Sequence, residues 1–457
     1  MRSMPRAAVL VLLVACSGVS APPVDGAPGE GADGGEPPAP PPSDGGETAS
    51  LPLAVTSPTA TSKWAEGSLH WLTWDGTTST ASFEVSLDSG LTWVAPETEV
   101  ISVYYPSVPR RELWRVPPAP TGAIKVRVVD RASGLVAPAV TLTIIPSQKA
   151  SYVWQQMATN AFAPRDGAAL ESFNGELRLY GGWDAQFDKV STNEVLTSPT
   201  GATWTEDSRA PWEERHTFGF AQHAGKLFVL GGDAQQWHYQ PDVWSTADGT
   251  NWELVANAVP WGERVLHYAL AYDGALWVMG GQTLPEYVGR PPPVTYYNDV
   301  WRSYDGANWT RVLQHAPWRP RGAIGGRSVF QNEMWIVGGG TYDTLDVPTR
   351  TLYADAWSST NGVKWTKHTD PPWFPRQYHS LEVFDGRLWV LGGYTWQISE
   401  NLTEVWYTVD GENWYELEGT PWNERHAAST VVTADGLYIG AGGWSDMWRL
   451  TRSSTSP

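Results

Sequence analysis

Six arginines recur at one place in a repeated phrase. Arg215, Arg264, Arg321, Arg376 and Arg425 each stand three residues after the tryptophan of a Pro-Trp pair, and Arg165 stands three after Phe162. A guanidinium presents five donors in a planar fork and grips carboxylates or phosphates in bidentate fashion. His216 and His426 directly follow their arginines, while His267 and His379 come three residues after theirs. An arginine ring with imidazoles beside it would suit an anionic ligand. The same spacing also fits a structural role, with each arginine paired to an acidic neighbour or to backbone carbonyls once per repeat. Recurrence in every repeat favours that role, because a unique site breaks symmetry.

Symmetry is broken by four long, aromatic-rich segments: "DAQQWHYQPD" (233–242), "QTLPEYVGRPPPVTYYND" (282–299), "GTYDTLDVPTRTLYAD" (340–355) and "YTWQISENLTE" (394–404). Long loops on a rigid scaffold carry binding more often than the scaffold does. Trp237, His238, Tyr239, Tyr287, Arg290, Tyr296, Tyr342, Trp396 and Glu400 are the ligand-binding candidates here, alongside the six arginines, His216 and His426. Aromatic faces stack on sugars and peptides. The chain has no HExxH, nucleophile elbow, phosphate loop or paired-cysteine motif, so the expectation is no catalytic set, no metal site and no cofactor.

These residues sit in a chain of 457 residues with formal net charge -18, 28 Trp, 45 Gly and 36 Pro. Abundant turn formers point to an all-β fold. Acidity argues against nucleic acid and anionic lipid headgroups, which need clustered Lys and Arg. The single cysteine, Cys16, closes "MRSMPRAAVLVLLVAC", with Arg2 and Arg6 ahead of a short apolar run. That run is too short to span a bilayer permanently. "LVAC" resembles a bacterial lipobox, so residues 1–15 are expected to be a lipoprotein signal peptide and Cys16 the lipidation site. The membrane is then reached through the anchor only, in a bacterial cell envelope. Ser17 rather than Asp after the cysteine points to the outer membrane. Residues 16–50 hold the cysteine and a Pro, Gly and acid-rich tether.

Residues 51–148 contain "LHWLTW", "ASFEVSLD", "AIKVRVVD" and "AVTLTII" between turn residues, which predicts a small β-sandwich of immunoglobulin or fibronectin type. "SLDSGLTW" (Ser86–Trp93) matches an Asp box, read here as a hairpin-stabilising turn rather than as sialidase chemistry.

From 152 onward an internal repeat decides the fold. Glycine pairs at Gly181, Gly231, Gly280, Gly338, Gly392 and Gly442 are spaced by 50, 49, 58, 54 and 50 residues. Each ends an apolar run and precedes a "DVW"-like element. Then come a "DG"-type turn and an Asn-Trp-like element (Trp204, Trp252, Trp309, Trp365, Trp414). The last repeat stops after its third strand. "YVWQQMATNAFAPR" supplies the missing fourth, with Trp154 eleven residues before Arg165.

This pattern over 152–450 resembles the kelch family of β-propellers, similar in type to the central domain of galactose oxidase. The resemblance implies six blades of four strands, closed by strands from both ends. Kelch oxidases hold copper beside a Tyr–Cys crosslink. The only cysteine here lies in the N-terminal segment, so that cofactor is not carried over. The expected function is a non-enzymatic binding or scaffolding lipoprotein, taking a protein or carbohydrate ligand on the loop-rich face. The alternative is a sugar-acid enzyme of sialic acid mutarotase or sialidase type.

Overall fold

The computed structural model describes residues 52–76, 80–97, 110–119, 122–184, 190–235, 238–284, 295–322, 328–342 and 349–453. The expected signal peptide, Cys16 and tether, and the candidates Trp237, Tyr287 and Arg290, lie outside the described residues. Every named element is a β-strand.

Two sheets occupy the N-terminal part. One joins Ala54–Ser57, Leu69–Asp75 and Arg111–Arg115. The other joins Lys63–Ala65, Val140–Ile145, Ala123–Asp130 and Ala81–Ser86, with Leu135–Val136 at its side. Strand Ala123–Asp130 alternates strictly between partly buried and buried residues, as a half-buried strand should. Its Ile124, Val126 and Val128 join Trp64, Trp74, Phe83, Trp114 and Leu142 in one core.

Six sets of four antiparallel strands follow among the described residues; five are separate sheets, and the set beginning at Ser380 is continuous with the first N-terminal sheet in one seven-stranded sheet. The first runs Ala169–Phe173, Glu176–Tyr180, Glu194–Ser198 and Thr205–Arg209. The same order recurs in sheets beginning at Gly219, Tyr268, Ser328 and Ser380. The last joins Ala428–Thr433, Gly436–Ala441 and Met447–Arg452 to Tyr152–Ala158, so the strand around Trp154 does complete it.

Turn chemistry explains the repetition. Strands one and two are joined by two-residue turns such as Asn174-Gly175 and Asp273-Gly274, where both residues have positive φ. Such turns match the natural strand twist. Strands three and four are joined by a longer turn at "DG". Five residues lie between Thr246 and Trp252, and Asp248 holds them, accepting from the backbone N–H of Thr250 and Asn251 and from the Asn251 side chain. Those bonds, with Asn251 foremost, hold its carboxyl well below the usual range.

Between the sheets, each aromatic of the Pro-Trp phrase meets the fourth-strand tryptophan of its own repeat edge to face. The pairs are Phe162–Trp204, Trp212–Trp252, Trp261–Trp309, Trp318–Trp365, Trp373–Trp414 and Trp422–Trp154, at interplanar angles of 83–90°. Such pairs contribute about 0.5–1.5 kcal/mol each beyond the area they bury.

Backbone links run from each sheet to the next. The second glycine of each pair donates its N–H to the carbonyl of the following repeat's arginine: Gly182 to Arg215, Gly232 to Arg264, Gly281 to Arg321, Gly339 to Arg376 and Gly393 to Arg425. Gly443 donates to Arg165, which links the last sheet to the first. A second set joins the residues two after the arginines, with Thr217 donating to Gly167, Leu266 to Thr217, Ala427 to Tyr378 and Gly167 to Ala427. All five of these residues have φ between 47° and 58°. The left-handed conformation costs a side-chain-bearing residue about 1–2 kcal/mol, which these bonds offset.

The fifth sheet also meets the N-terminal part. Leu69 pairs with Trp414, Asn413 Oδ1 accepts from the Ala65 N–H at 2.7 Å, and the Trp71 indole donates to the Pro371 carbonyl at 2.9 Å.

Gly232 shows why the pair must be glycine. Its φ is 106°, and a Cβ there would lie 2.6 Å from Phe218 Cβ. Gly232→Ala should destabilise by roughly 3 kcal/mol or more in urea unfolding. Gly225→Ala, in an open turn with φ of 74°, should cost about 1 kcal/mol. Equal losses would contradict the close approach.

Candidate functional site

The six arginines are buried, with 0–4% of their surface exposed. Each guanidinium donates to the carbonyl that precedes the second glycine of its own repeat's pair (Gly181, Gly231, Gly280, Gly338 and Gly392), or in the last repeat to Ala441. Each also pairs with an acid opening the third strand: Arg165–Glu194, Arg215–Asp242, Arg264–Asp299, Arg321–Asp355, Arg376–Glu404 and Arg425–Asp446. The tryptophan two residues after the acid adds its indole N–H in five repeats, which accounts for the "DVW" spacing. In the first repeat Leu196 stands there, and Arg209 bonds Glu194 instead. An arginine ring open to ligand, one of the two expectations, is therefore not the arrangement: the guanidinium groups are committed to internal pairs.

The histidines divide. His267 and His379 are buried beneath neighbouring repeats, and burial pushes both down to about 3, so they are neutral at pH 7. His216 stacks on Trp183 and contacts Ser191 through Nδ1 at 3.1 Å. His426 contacts Asn401 Oδ1 through Nδ1 at 2.8 Å. Burial lowers both to about 4. With Asn401 Oδ1 as acceptor, the neutral His426 ring carries its proton on Nδ1 and leaves Nε2 as an acceptor.

Two of the loop candidates are structural. Tyr239 and Tyr296 are 4% and 3% exposed, and they pack together with Val265 and Leu284. The Tyr296 hydroxyl accepts from the Tyr342 N–H at 2.7 Å and donates to the Tyr342 carbonyl at 3.2 Å, which fixes the loop carrying Tyr342. His238 and Glu400 are exposed.

Tyr342, Trp396 and His426 come together. Tyr342 hydroxyl bonds Tyr378 hydroxyl, and the Tyr378 ring lies 5.5 Å from His426. Tyr394 meets Trp396 edge-on at 4.7 Å and 82°, and its ring lies 6.2 Å from His426. Arg350 lies over Trp396 at 3.6 Å and near Tyr342 at 5.8 Å. Strand Thr351–Leu352, pairing with Gly340–Thr341, brings Arg350 to Tyr342. The result is a corner of aromatic faces edged by hydroxyls, an imidazole and a guanidinium, an arrangement suited to stacking and hydrogen-bonding a small polar ligand.

Tyr378 also lines a cavity of about 150 Å³ with Thr217, Leu266, His267, His379 and Glu382. Among the described residues no group of three or more His, Cys, Asp or Glu is placed to hold a metal ion. Asp166 holds the position after its arginine that His216 and His426 hold after theirs. Burial, and then repulsion from Asp184, pushes it up to about 7. The Asp box is a local turn: Asp88 binds Thr92 and Ser86, and Arg127 covers Trp93 at 3.9 Å.

Sequence reasoning missed Arg350, Tyr378, Tyr394, Asn401 and Asp166. A signal for two of them existed. Tyr378 falls where other repeats carry Gly167, Thr217, Leu266 or Ala427, and Tyr394 falls directly after a glycine pair. No family model matches the chain, and no curated protein matches it.

Asp166 yields a signed prediction. A folded-state pKa above the ordinary 3.8 means the folded protein binds more protons than the unfolded chain between pH 4 and 7. Stability should then fall as pH rises through that window. Asp166→Asn should be more stable than the natural protein at pH 8, with the difference shrinking toward pH 4, in urea unfolding at both pH values. A difference independent of pH would contradict the raised acid.

Proposed function

We propose that residues 152–450 form a six-bladed kelch-type β-propeller, that 51–148 form a β-sandwich before it, and that the whole is a binding protein of the bacterial cell envelope held by lipid on Cys16. Support for the propeller is the sixfold recurrence of one four-strand order, with Gly443 linked back to Arg165. Support for the anchor is the Arg-rich start and the "LVAC" run. The ligand is a glycan or a protein, taken at the aromatic corner on the face that carries the loops after the glycine pairs.

One observation carries the binding reading. Tyr342, Tyr378, Tyr394, Trp396 and His426 converge in one place although they come from separate segments of the chain. Aromatic corners of this kind gain affinity by stacking with little side-chain ordering cost.

A second reading, an enzyme acting on acidic sugars, draws support from Asp166. A carboxyl poised near pH 7 suits general acid–base work. Turnover of an acidic sugar that Asp166→Asn abolishes would favour it.

A glycan array and an envelope-protein pull-down with the intact protein test the binding reading. Trp396→Ala should weaken the ligand found by about tenfold or more, because stacking on one aromatic contributes about 1–3 kcal/mol. The melting temperature should move little, since Trp396 is only partly buried at a loop. A ligand bound equally well by Trp396→Ala would place the site elsewhere.

A further inference from the structure

We infer that the N-terminal part and the repeats form one cooperative unit coupled through Asn413, so that residues 52–150 are a fixed arm on the fifth set of strands and not a module that swivels beside it. The inference is independent of the binding reading above. It concerns how the loop-bearing face is held.

A comparison within the chain carries it. The residue before the fourth-strand tryptophan is Asn251, Asn308 or Asn413 in three repeats. Each donates its amide to the aspartate of its own turn, Asp248, Asp305 or Asp410, at 2.7–2.8 Å. Asn251 and Asn308 are exposed, whereas Asn413 is buried. Its Oδ1 accepts from the Ala65 N–H at 2.7 Å, and its Nδ2 also donates to the Lys63 carbonyl at 3.3 Å. His70 Nε2 lies 3.2 Å from the same Oδ1, and its ring stacks on Trp64 at 4.1 Å. One side chain keeps its turn bond and adds buried bonds across the joint.

Its neighbours differ from their counterparts in the same way. Trp414 is buried, while the fourth-strand tryptophans of the other repeats are only partly so. Tyr415 is buried where Thr205, Glu253, Thr310 and Thr366 are exposed. The Tyr415 hydroxyl accepts from the Gln148 N–H at 3.0 Å, and the Tyr407 hydroxyl from the Ala150 N–H at 3.1 Å. Those two bonds pin the segment that leads into the repeats.

The apolar packing is shared as well. Leu69, Trp71 and Leu113 join Trp335, Trp373 and Trp414 in one core, and Ala65 joins Tyr407 and Tyr415 in another. Leu69 pairs with Trp414, so one sheet runs through the joint. Parts of a chain move against each other where the contact between them is small and polar; a continuous sheet over a common apolar core removes that freedom. Opening either part exposes the core of the other, which makes their opening one event.

Native-state hydrogen exchange of the intact protein, read by mass spectrometry, tests this. Strand Ala123–Asp130 reports the N-terminal core, and strand Lys226–Leu230 reports the repeats in a sheet separate from the joint. The slowest amides of both should share one opening equilibrium. Asn413→Ala leaves the Ala65 N–H without its acceptor, and should speed exchange in both strands by one factor of about 10- to 100-fold. Asn251→Ala removes only an exposed turn bond, and should speed both by less than about tenfold. Tyr415→Phe keeps the ring and the turn while removing one hydroxyl, so it carries the test where Asn413→Ala does not fold. It too should speed both strands equally. Acceleration confined to Ala123–Asp130 in Asn413→Ala or Tyr415→Phe would overturn the inference, as would acceleration confined to Lys226–Leu230 in Asn251→Ala. Equal effects of Asn413→Ala and Asn251→Ala would overturn the coupling role of Asn413.

Discussion

The buried arginine–carboxylate pair of each repeat is the interaction on which the rest of the structure depends. It is an expensive one. Taking two charges out of water costs several kcal/mol per ion, and the cost is met only where every donor finds a partner. Here the fork takes two carboxylate oxygens in most repeats and a carbonyl beneath the glycine pair. The arginine backbone meanwhile accepts from the preceding repeat's second glycine. One residue thus ties its own sheet through the side chain and its neighbour's through the carbonyl. The next-but-one residue is then set in the left-handed conformation and bonds its counterparts.

This economy explains an electrostatic feature of the molecule. Six arginines contribute no net positive field, because each is matched by an acid at contact distance. A cation that is to attract an anion must come from outside the repeat.

Much of the architecture was legible because it is written six times. The glycine pairs, the acid two residues before tryptophan and the arginine three after Pro-Trp keep phase even where loops differ in length. That the strand around Trp154 completes the last sheet could be read from spacing alone. The role of the arginines was legible only as two alternatives, since the sequence does not say which way a guanidinium points. The site was half legible. Tyr342 and Trp396 stood out by composition, but Tyr239 and Tyr296 are equally aromatic and turn out to be loop core. Tyr378 was hidden because it occupies the position that Gly167, Thr217, Leu266 and Ala427 hold in four other repeats, where the backbone is left-handed.

The central claim is that the sheets are tied in a cycle, with Gly443 joined to Arg165 as each earlier glycine is joined to the next arginine. Native-state hydrogen exchange of the six second-glycine amides tests it most directly, because buried, bonded amides in one cooperative unit exchange only through its full opening. The account predicts that Gly443 is protected to the same free energy as Gly182, Gly232, Gly281, Gly339 and Gly393, within about 1 kcal/mol. Exchange at Gly443 a hundredfold or more faster than at the other five would mean that the last sheet is not tied to the first, and would contradict it.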